Sequence, residues 1–536
     1  MATSGSQETH IADPTPPPTT LAAVMEQQAR DFGDKPYILF EERVVSFAEL
    51  NRQVNRAANG LANLGAGTGT GVSIMMPNAP EWLFVFFATQ KLGAYAVPVN
   101  VALRGEGLRH VLDHSDSTIL VCHPDFVEAI EEVRGSLSKL KHIVIDTTGT
   151  GPGYQPPDGW IKLSEVMDAS PEDPGRPIQQ GSISGLMYTS GTTGAPKGVV
   201  QRYRPVAPAA AGLGGGFYET NEILYTCLPL FHANALFLSA QRALVGGLTL
   251  ALSRRFSASR FWDEVRRYNA TTFNALGAMI PILMKQPERD NDRDNRVGIV
   301  LSAACPASVW EAFEQRFGVR LVEAYGAVDG AGFGITNPGT SPKGSIGKPA
   351  TPIRIVDDNG NDVPAGVPGE LLFQIDNPEL RRVDYYKNTE ASTEKIRDGW
   401  LHTGDLVYAD EEGNLFFADR KTDSMRRRGE NISSWEVERE INAHPAVLES
   451  GAFGVPSELG EDDVMVVVVL KEGQTVTPEE LVDHCRKRMA KFMVPRYFEF
   501  RDELPKTGTH RVQKSLLKQQ GVTAKTWDAE RAAPGS

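Results

Sequence analysis

The chain has 536 residues, of which 41% are hydrophobic and 23% are charged, and its formal net charge is −13. Length and composition predict a globular protein of roughly three or four structural units. The acidic balance argues against a nucleic-acid partner, because a phosphate backbone is bound by a basic face. No apolar run approaches the roughly 20 residues that span a bilayer. The four dispersed cysteines form no CxxC pair that would indicate zinc or disulfides. We therefore expect a cytoplasmic protein without a membrane span.

The first half of the chain alternates helix and strand patterns. It begins with a polar, proline-rich stretch, residues 1–20, that predicts a disordered tail. SFAELNRQVNRAANGLANLG has one apolar helical face, a Ser46–Glu49 capping box and a stop at Gly65. A second helix is predicted to begin at Asn78, and VSIMMP, YAVPV, TILVC and HIVID are predicted strands. Strands separated by helices indicate βαβ units and largely parallel sheets.

The C-terminal stretch follows a different pattern. AVLESGAFGVP, DDVMVVVVLK and RYFEFR are predicted strands, and TPEELVDHCRKRMAKF is a predicted helix capped by Thr477 and Glu480. This pattern predicts a small α+β lobe. The polar stretch DRKTDS marks the boundary, so we expect a large domain over residues 21–421 and a small domain over residues 422–536.

A loop rich in glycine and hydroxyl groups, YTSGTTGAPKGVV, runs from Tyr188 to Val200 after a predicted strand. Glycines let the backbone fold around an anion, while the hydroxyls and Lys197 add donors and charge. The loop lacks the Gly-Lys-Ser/Thr ending of a Walker A motif. It predicts a phosphate cradle, with an ordinary flexible turn as the alternative.

This loop closely resembles the signature loop of the adenylate-forming enzymes, which include acyl-CoA synthetases, peptide-synthetase adenylation domains and luciferases. The resemblance covers about residues 20–520 through further motifs in the family's order: KLGAYAVPVN, LPLFHANAL, EAYGAVDG, GWLHTGDL, DRKTDSMRRRGENIS, KFMVPRYF and LPKTGTHRVQK. GENIS and the small C-terminal lobe resemble the CoA ligases in particular. The resemblance implies an α/β N-terminal domain of βαβ layers, with mostly parallel sheets plus a distorted β-barrel, and a small mobile α+β C-terminal domain.

The resemblance also implies a role for each matching residue. Tyr325 would stack on adenine, Asp405 and Arg420 would reach the ribose, His232 would gate the acyl pocket, and Thr422 would be the hinge. The implied nucleotide-binding residues are Thr189, Ser190, Gly191, Thr192, Thr193, Gly194, Lys197, Ala303, Ala304, Cys305, Tyr325, Gly326, Val328, Asp405 and Arg420. The implied tunnel for the pantetheine arm of CoA is lined by Arg428, Gly429 and Glu430.

LPKTGTHRVQK departs from the family at a catalytic position. Family members first join the substrate carboxylate to the α-phosphate of ATP, giving acyl-AMP, and then transfer the acyl group to CoA after the small lobe has rotated. A lysine in a Gly-Lys pair supplies charge to the first step, and here the pair is His510-Arg511. A guanidinium is a planar fork whereas an ammonium is a compact point charge. Losing aligned charge at a transition state costs about 2.7–4 kcal/mol, so Arg511 predicts weak adenylation.

Two further departures affect the same step. In YGAVD, Val328 replaces a threonine of the family, and Asp329 replaces a glutamate that helps to hold Mg²⁺, which leaves Asp329 as a shorter candidate metal ligand. The sequence therefore predicts an acyl-CoA ligase that performs thioesterification only, from acyl-AMP and CoA, with ATP and Mg²⁺ needed only if adenylation is retained. Its functional partner would be a separate adenylating ligase, as in the split ligase pairs of platensimycin-type biosynthesis.

Three alternative functions stay open. If Arg511, Lys506 or Lys514 serves in adenylation, the chain is a complete ATP-dependent acyl-CoA synthetase. A degenerate, non-catalytic binding protein is the second alternative. The third is an oxidoreductase, suggested by GAGTGTG, but this segment lacks the third glycine of a dinucleotide fingerprint and follows a helix, so it is interpreted as a turn.

The acyl group is indicated only by composition. APAAAGLGGGF and DGAGFGI are rich in glycine and alanine and would lie near the acyl pocket by resemblance. Small side chains there predict room for a bulky acid, polycyclic or aryl, in secondary metabolism, with ordinary flexible loops as the alternative.

One pair of histidines has a spacing that could place both on one helix face. His110 and His114 in HVLDH have helical spacing, but no glutamate and no third ligand accompany them. They are interpreted as a solvated helix face rather than a zinc pair.

Overall fold

The computed structural model describes residues 20–151, 153–189, 195–206, 222–276, 279–303, 305, 307–332, 334–357, 359–377, 382–420, 424–458, 460–505, 512 and 514–532. The predicted tail lies outside these residues except for Thr20, whose hydroxyl caps the first helix by accepting from the N–H of Ala23 at 3.0 Å. The predicted domain boundary between residues 421 and 422, and with it the hinge Thr422, also lies outside them.

The strands, in chain order, are β1 (Pro36–Phe40), β2 (Arg43–Ser46), β3 (Gly71–Met75), β4 (Tyr95–Pro98), β5 (Ser117–Cys122), β6 (His142–Ile145), β7 (Ile161–Lys162), β8 (Ile183–Thr189), β9 (Lys197–Arg202), β10 (Ile223–Thr226), β11 (Thr249–Leu252), β12 (Thr272–Leu276), β13 (Ile299–Ala303), β14 (Arg320–Gly326), β15 (Gly334–Asn337), β16 (Ile353–Val356), β17 (Gly369–Gln374), β18 (Ile396–Arg397), β19 (Trp400–Ala409), β20 (Leu415–Arg420), β21 (Ser424–Arg427), β22 (Glu430–Ser433), β23 (Val447–Pro456), β24 (Asp462–Leu470), β25 (Tyr497–Phe500) and β26 (Trp527–Asp528).

The α-helices, in chain order, are α1 (Leu21–Phe32), α2 (Phe47–Asn63), α3 (Pro80–Leu92), α4 (Gly105–His114), α5 (Val127–Arg134), α6 (Leu163–Val166), α7 (Arg242–Val245), α8 (Phe261–Arg267), α9 (Met279–Met284), α10 (Ala307–Phe317), α11 (Thr389–Lys395), α12 (Ser434–Asn442), α13 (Pro478–Arg488), α14 (Lys514–Gln520) and α15 (Ala529–Ala532). A 3₁₀ turn spans Pro124–Phe126, and a π-helical segment spans Asn234–Gln241.

Two mixed sheets form the body of the N-terminal domain. The seven-stranded sheet has the order β7-β6-β5-β3-β4-β8-β9, and its antiparallel pair, β8 with β9, stands at one edge. The eight-stranded sheet has the order β15-β14-β13-β12-β10-β11-β1-β2, with an antiparallel pair at each edge. The inner pairs are parallel because helices connect successive strands across the faces. The prediction of βαβ units with largely parallel sheets is confirmed.

One hydrophobic cluster joins these two sheets through α2 and α3. Every residue of α3 is buried, because PEWLFVFFATQKL is apolar on nearly all sides and an all-round apolar helix must lie inside a protein. The predicted helix at residues 47–63 begins at the Ser46 cap, and GAGTGTG is a turn between α2 and β3 in which Gly65 has φ +91°. This confirms its interpretation as a turn.

Asn78 does not cap α3, which begins two residues later at Pro80. Its buried amide donates to the carbonyls of Leu228 and Ser253, and its oxygen accepts from the N–H of Leu230. The cap prediction was wrong because the side chain satisfies three backbone groups of two other segments, an arrangement that local sequence cannot reveal.

The remaining strands belong to three smaller units. An antiparallel sheet contains β16 to β20, β21 pairs with β22 in a hairpin, and the C-terminal sheet has the order β23-β24-β25-β26. Helix α13 carries the predicted capping box, since Thr477 and Glu480 exchange side-chain to backbone hydrogen bonds at 2.8 and 3.2 Å. A large α/β domain followed by a small α+β domain is therefore confirmed.

The four cysteines are free and buried. Burial raises the pKa of Cys227, Cys305 and Cys485 to about 12, so these groups stay protonated thiols at neutral pH. In the described part of the chain, no helix has the length and apolar character needed to cross a bilayer.

Candidate active site

A cavity of about 700 Å³ opens between the large domain and the C-terminal lobe. Nine of the residues singled out in the sequence line it: Thr189, Lys197, His232, Gly326, Val328, Asp329, Asp405, Gly429 and Glu430. Ala303, Cys305, Tyr325 and Arg428 are described but do not line it. Ser190, Gly191, Thr192, Thr193, Gly194, Ala304, Thr422 and Arg511 lie outside the described residues.

The signature loop leaves and rejoins the edge of the seven-stranded sheet. Strands β8 and β9 flank it and pair antiparallel, with Thr189 opposite Lys197, so that both residues stand at the mouth of the loop. Thr189 and Lys197 thus reach the cavity from the two sides of one hairpin. The Lys197 ammonium lies 5.4 Å from the centre of the Tyr385 ring, within range of a cation–π contact.

Helix α4 contacts both ends of this loop. His110 Nε2 lies 3.0 Å from the carbonyl oxygen of Pro196, and His114 Nδ1 lies 2.8 Å from the hydroxyl of Tyr188. The two imidazoles stack with ring centres 5.0 Å apart. Their interpretation as a solvated face was wrong, because both rings are half-buried against the loop. Burial, followed by the charge of His110, lowers the pKa of His114 to about 4.

The predicted ribose-binding carboxylate is buried and held in place. Asp405 is 4% exposed, and its Oδ2 accepts from the hydroxyl of Tyr325 at 2.7 Å. Tyr325 is the penultimate residue of β14, and Asp405 lies on β19, where its backbone is opposite Arg420 of β20. The residue that is predicted to stack on adenine therefore also holds the carboxylate that is predicted to bind the ribose. Cys305 is buried, and its N–H donates to Glu323 at 3.3 Å.

The predicted gate joins the two lobes. His232 Nε2 lies 2.9 Å from Oε1 of Glu430, whose side chain is 17% exposed. Glu430 follows the two-residue turn of the β21–β22 hairpin, in which Arg428 and Gly429 have φ of +56° and +77°. Two successive positive φ values are those of a type I′ hairpin turn, and they explain the glycine. This turn brings the backbone of Gly429 to the cavity.

Asp329, the candidate metal ligand, is occupied by residues that the sequence reading missed. Its Oδ2 accepts from the Tyr385 hydroxyl at 2.5 Å and lies 3.0 Å from the Lys395 ammonium. Lys395 also donates to the carbonyl of Thr403 at 3.1 Å. Both missed residues lie in DYYKNTEASTEK, which precedes the recognised motif GWLHTGDL but carries no signal of its own.

Lys514 was one of the residues predicted as an alternative to the catalytic lysine of the family, and its ammonium contacts two residues of the C-terminal lobe. Lys514 lies 2.8 Å from Oε1 of Glu438 and donates to the hydroxyl of Ser434 at 2.6 Å. Both partners belong to α12 of the same lobe. Lys506 and Arg511 lie outside the described residues.

Two carboxyls that the sequence reading did not single out also line the cavity. Burial raises the pKa of Glu436 to about 7, so both of its protonation states are populated near neutral pH. Glu370 is 5% exposed, accepts from the N–H of Gly404 at 3.2 Å and lies 3.4 Å from His402. These contacts fix the backbone that carries Asp405.

Comparison with known proteins gives matches along nearly the whole chain. The sequence profile of the AMP-binding enzymes matches residues 25–377, and that of the AMP-binding enzyme C-terminal domain matches residues 436–511. A crotonobetaine/carnitine–CoA ligase of Salmonella paratyphi A is 32% identical over 523 residues, which cover 93% of this chain and 98% of that protein.

Solved structures match with the same coverage. The o-succinylbenzoate CoA synthetase of Bacillus subtilis, as a double mutant bound with the product analogue OSB-NCoA, gives a TM-score of 0.77 at 26% identity and covers 93% of this chain and 98% of its own. In complex with AMP, the same synthetase gives a TM-score of 0.63 at 27% identity, and the match covers 92% of this chain and 98% of its own. The anthranilate CoA ligase AuaEII, in complex with anthranoyl-AMP, gives 0.70 at 26% identity, covering 94% and 98%.

Proposed function

Because the chain belongs to the AMP-binding enzyme family, in its acyl-CoA ligase branch, we propose that it transfers an acyl group from acyl-AMP to CoA without adenylating the free acid. The observation that carries this proposal is the pair His510-Arg511, which stands where the family has Gly-Lys. Lys514 does not compensate, since Glu438 and Ser434 engage its ammonium. The products are acyl-CoA and AMP.

In this reaction the CoA sulfur attacks the carbonyl carbon of acyl-AMP. A C–S bond forms, the C–O bond to the phosphate breaks, the thiol proton passes to solvent, and AMP leaves with the electron pair. Lys197 stabilises the negative charge on the departing phosphate, because a preplaced ammonium is most effective where charge develops. Asp405, fixed by Tyr325, accepts from the ribose hydroxyls. The Gly429 turn leaves room for the pantetheine arm.

The arrangement of the two lobes supports a site set for the second half-reaction. The β21–β22 turn faces the cavity, and Glu430 contacts His232 from the C-terminal lobe. The chain resembles the Bacillus subtilis synthetase with a CoA product analogue more than the same synthetase with AMP, with TM-scores of 0.77 and 0.63. We infer that the lobe positions correspond to those used for transfer to CoA.

The acyl group is proposed to be a bulky acid of secondary metabolism. Of the two segments that suggest this, residues 207–217 lie outside the described part and residues 329–335 are described except for 333. Gly334 approaches the carbonyl oxygen of Tyr325 so closely that an added Cβ would lie 3.1 Å from it. The finer proposal is a split pair, as in platensimycin-type biosynthesis, in which a separate ligase supplies the acyl-AMP.

A second candidate function is a complete ATP-dependent acyl-CoA synthetase. It is favoured by the relatives, which are named as a CoA ligase and a CoA synthetase and which each match 93% of this chain. It differs from the first candidate in whether ATP and free acid are consumed.

Separate assays of the two half-reactions distinguish these candidates. One contains ATP, Mg²⁺, CoA and a panel of free acids; the other contains preformed acyl-AMP and CoA. The proposal predicts thioester in the second assay, and at least about 100-fold less in the first. Comparable thioester in both would establish the complete synthetase, and thioester in neither would favour a binding protein.

Arg511→Lys tests whether the side chain limits adenylation. We expect pyrophosphate release from ATP and acid to rise by roughly 10-fold or more, with transfer from acyl-AMP unchanged. Arg486→Lys is the matched control, because this arginine of the same lobe is 65% exposed and pairs with Asp483. No gain with Arg511→Lys would mean that His510 or Val328 also limits the step.

A further inference from the structure

Lys395 is a largely buried cation that lines the cavity. Its side chain is 13% exposed and that of Asp329 is 20% exposed, so solvent screens the pair only weakly. The ammonium lies 3.0 Å from Oδ2 of Asp329 and donates to the Thr403 carbonyl at 3.1 Å. Of its three N–H donors, these contacts use two and leave one for a ligand.

Tyr385 links this ion pair to Lys197. Its hydroxyl donates to the same Oδ2 of Asp329, while its ring carries the ammonium of Lys197 at 5.4 Å from the ring centre. Lys197, Lys395 and Asp329 all line the cavity. The ammonium groups of Lys197 and Lys395 thus both lie near Tyr385. The charge of Lys395 is neutralised by Asp329, the residue predicted as a metal ligand.

A divalent cation does not fit this oxygen. Mg²⁺ binds carboxylate oxygen at about 2.1 Å, so an ion on Oδ2 of Asp329 would lie within about 5 Å of the Lys395 ammonium. The ion would have to replace the hydrogen bond from Tyr385 and would remain beside a fixed positive charge. No cluster of three or more histidine, cysteine or acidic side chains suited to a metal occurs among the described residues.

We propose that Lys395 is a built-in counterion that takes the place of the divalent cation at Asp329, so that the site binds the single phosphate of a nucleoside monophosphate ester without metal. The inference deepens the proposed function, on which its choice of acyl-AMP as ligand rests. The phosphate of an acyl-AMP, substituted by both the ribose and the acyl group, carries one negative charge, which the ammonium groups of Lys197 and Lys395 balance together with Asp329. A nucleoside triphosphate carries about four negative charges and is normally bound together with a divalent cation, which Lys395 would repel.

Calorimetric titration of the wild-type protein tests the inference without any variant. AMP and the non-cleavable analogue α,β-methylene-ATP are each titrated in EDTA and in excess Mg²⁺. We expect Mg²⁺ to change either dissociation constant by less than about threefold, because Lys395 and Tyr385 already engage the Asp329 carboxylate. If Mg²⁺ tightens α,β-methylene-ATP by more than that, a metal site exists and the inference is overturned.

Lys395→Met shows whether this ammonium is the cause. The variant should bind AMP about 10-fold more weakly and should gain a Mg²⁺-dependent tightening of α,β-methylene-ATP of about 10-fold, the scale of one charged hydrogen bond. Lys343→Met is the matched control, since Lys343 is 45% exposed and pairs with Glu311 and Glu314 outside the cavity. A folded Lys395→Met protein that stays indifferent to Mg²⁺ overturns the inference.

Pyrophosphate release separates this inference from the proposed function. If ATP and acid yield pyrophosphate while binding stays indifferent to Mg²⁺, the non-adenylating function fails and the counterion stands. If no pyrophosphate appears but Mg²⁺ tightens the analogue, the counterion fails and the function stands. The two readouts are independent, because the methylene bridge of α,β-methylene-ATP prevents transfer of its AMP group to the acid, so its binding is measured without any adenylation.

Discussion

Tyr325 is the residue through which adenine and ribose recognition would be coupled. Its hydroxyl donates to Asp405, a carboxylate that is only 4% exposed. We expect Tyr325→Phe to weaken AMP binding by roughly 10-fold, because a hydrogen bond to a charged group contributes about 1.5–3 kcal/mol. Calorimetry with AMP measures the affinity, and urea denaturation measures the accompanying loss of stability.

Tyr37→Phe is the control for this substitution. The Tyr37 side chain is fully buried, and its hydroxyl donates to the carbonyl of Ala240 at 2.9 Å, at a site that does not line the cavity. It should lower the free energy of unfolding by about 1 kcal/mol and leave AMP affinity unchanged. Equal losses of AMP affinity in the two variants would show a general loss of folding and not a role for Tyr325 in the site.

At the residue scale, the sequence predicted those cavity residues that belong to a recognisable motif. Asp405, His232 and Glu430 could be named from GWLHTGDL, LPLFHANAL and GENIS, and all three line the cavity. Lys395 and Tyr385 could not, because their importance depends on meeting Asp329, which lies far away in sequence. An isolated lysine in the last turn of a helix has an ordinary explanation in the helix dipole.

At the element scale, helix α4 is a support for the signature loop. His114 meets Tyr188 before the loop and His110 meets Pro196 after it. The spacing of His110 and His114 predicted a helix face, but it could not reveal that this face packs on the loop. The π-helical segment Asn234–Gln241 was equally out of reach, because its geometry is fixed by tertiary contacts, such as the donation of the Asn274 amide to Asn234 at 2.7 Å.

The support that α4 gives predicts a pH dependence of stability. An unfolded histidine has a pKa near 6.5, whereas burial, His110 and Lys387 lower that of folded His114 to about 4, against the opposing effect of Asp116. Below pH 6.5 the unfolded chain gains a proton that the folded protein does not. Stability should therefore fall, by about 1–2 kcal/mol, as the pH drops from 6.5 towards 4.

His114→Gln isolates this contribution. Glutamine can still donate to Tyr188 but does not titrate, so the free energy of unfolding in urea should depend less on pH between 6.5 and 4 than in the wild type. His142→Gln, at the start of β6 in the seven-stranded sheet, is the control. If both variants follow the wild-type profile, another group is responsible for the acid sensitivity.

At the scale of the whole molecule, the sequence predicted two domains and their classes, because the change from βαβ units to an α+β pattern is visible in the order of elements. Their relative position was not predictable. It depends on contacts such as that of His232 with Glu430, between residues almost two hundred positions apart. The motif GENIS predicted a CoA ligase, and the structure adds that Glu430 of this motif contacts His232, the predicted gate of the acyl pocket.

Glu430 should therefore matter for transfer to CoA and not for nucleotide binding. Glu430→Gln keeps the size of the side chain but removes the charge that strengthens its contact with His232 across the lobes. We expect single-turnover transfer from acyl-AMP to CoA to slow by about 10-fold, the effect of one charge-assisted hydrogen bond, while AMP affinity stays the same. Glu472→Gln, at an exposed position of the same lobe, controls for the change in net charge. If AMP affinity falls in step with the transfer rate, then Glu430 shapes the nucleotide site itself, and contact between the lobes does not set the rate of transfer.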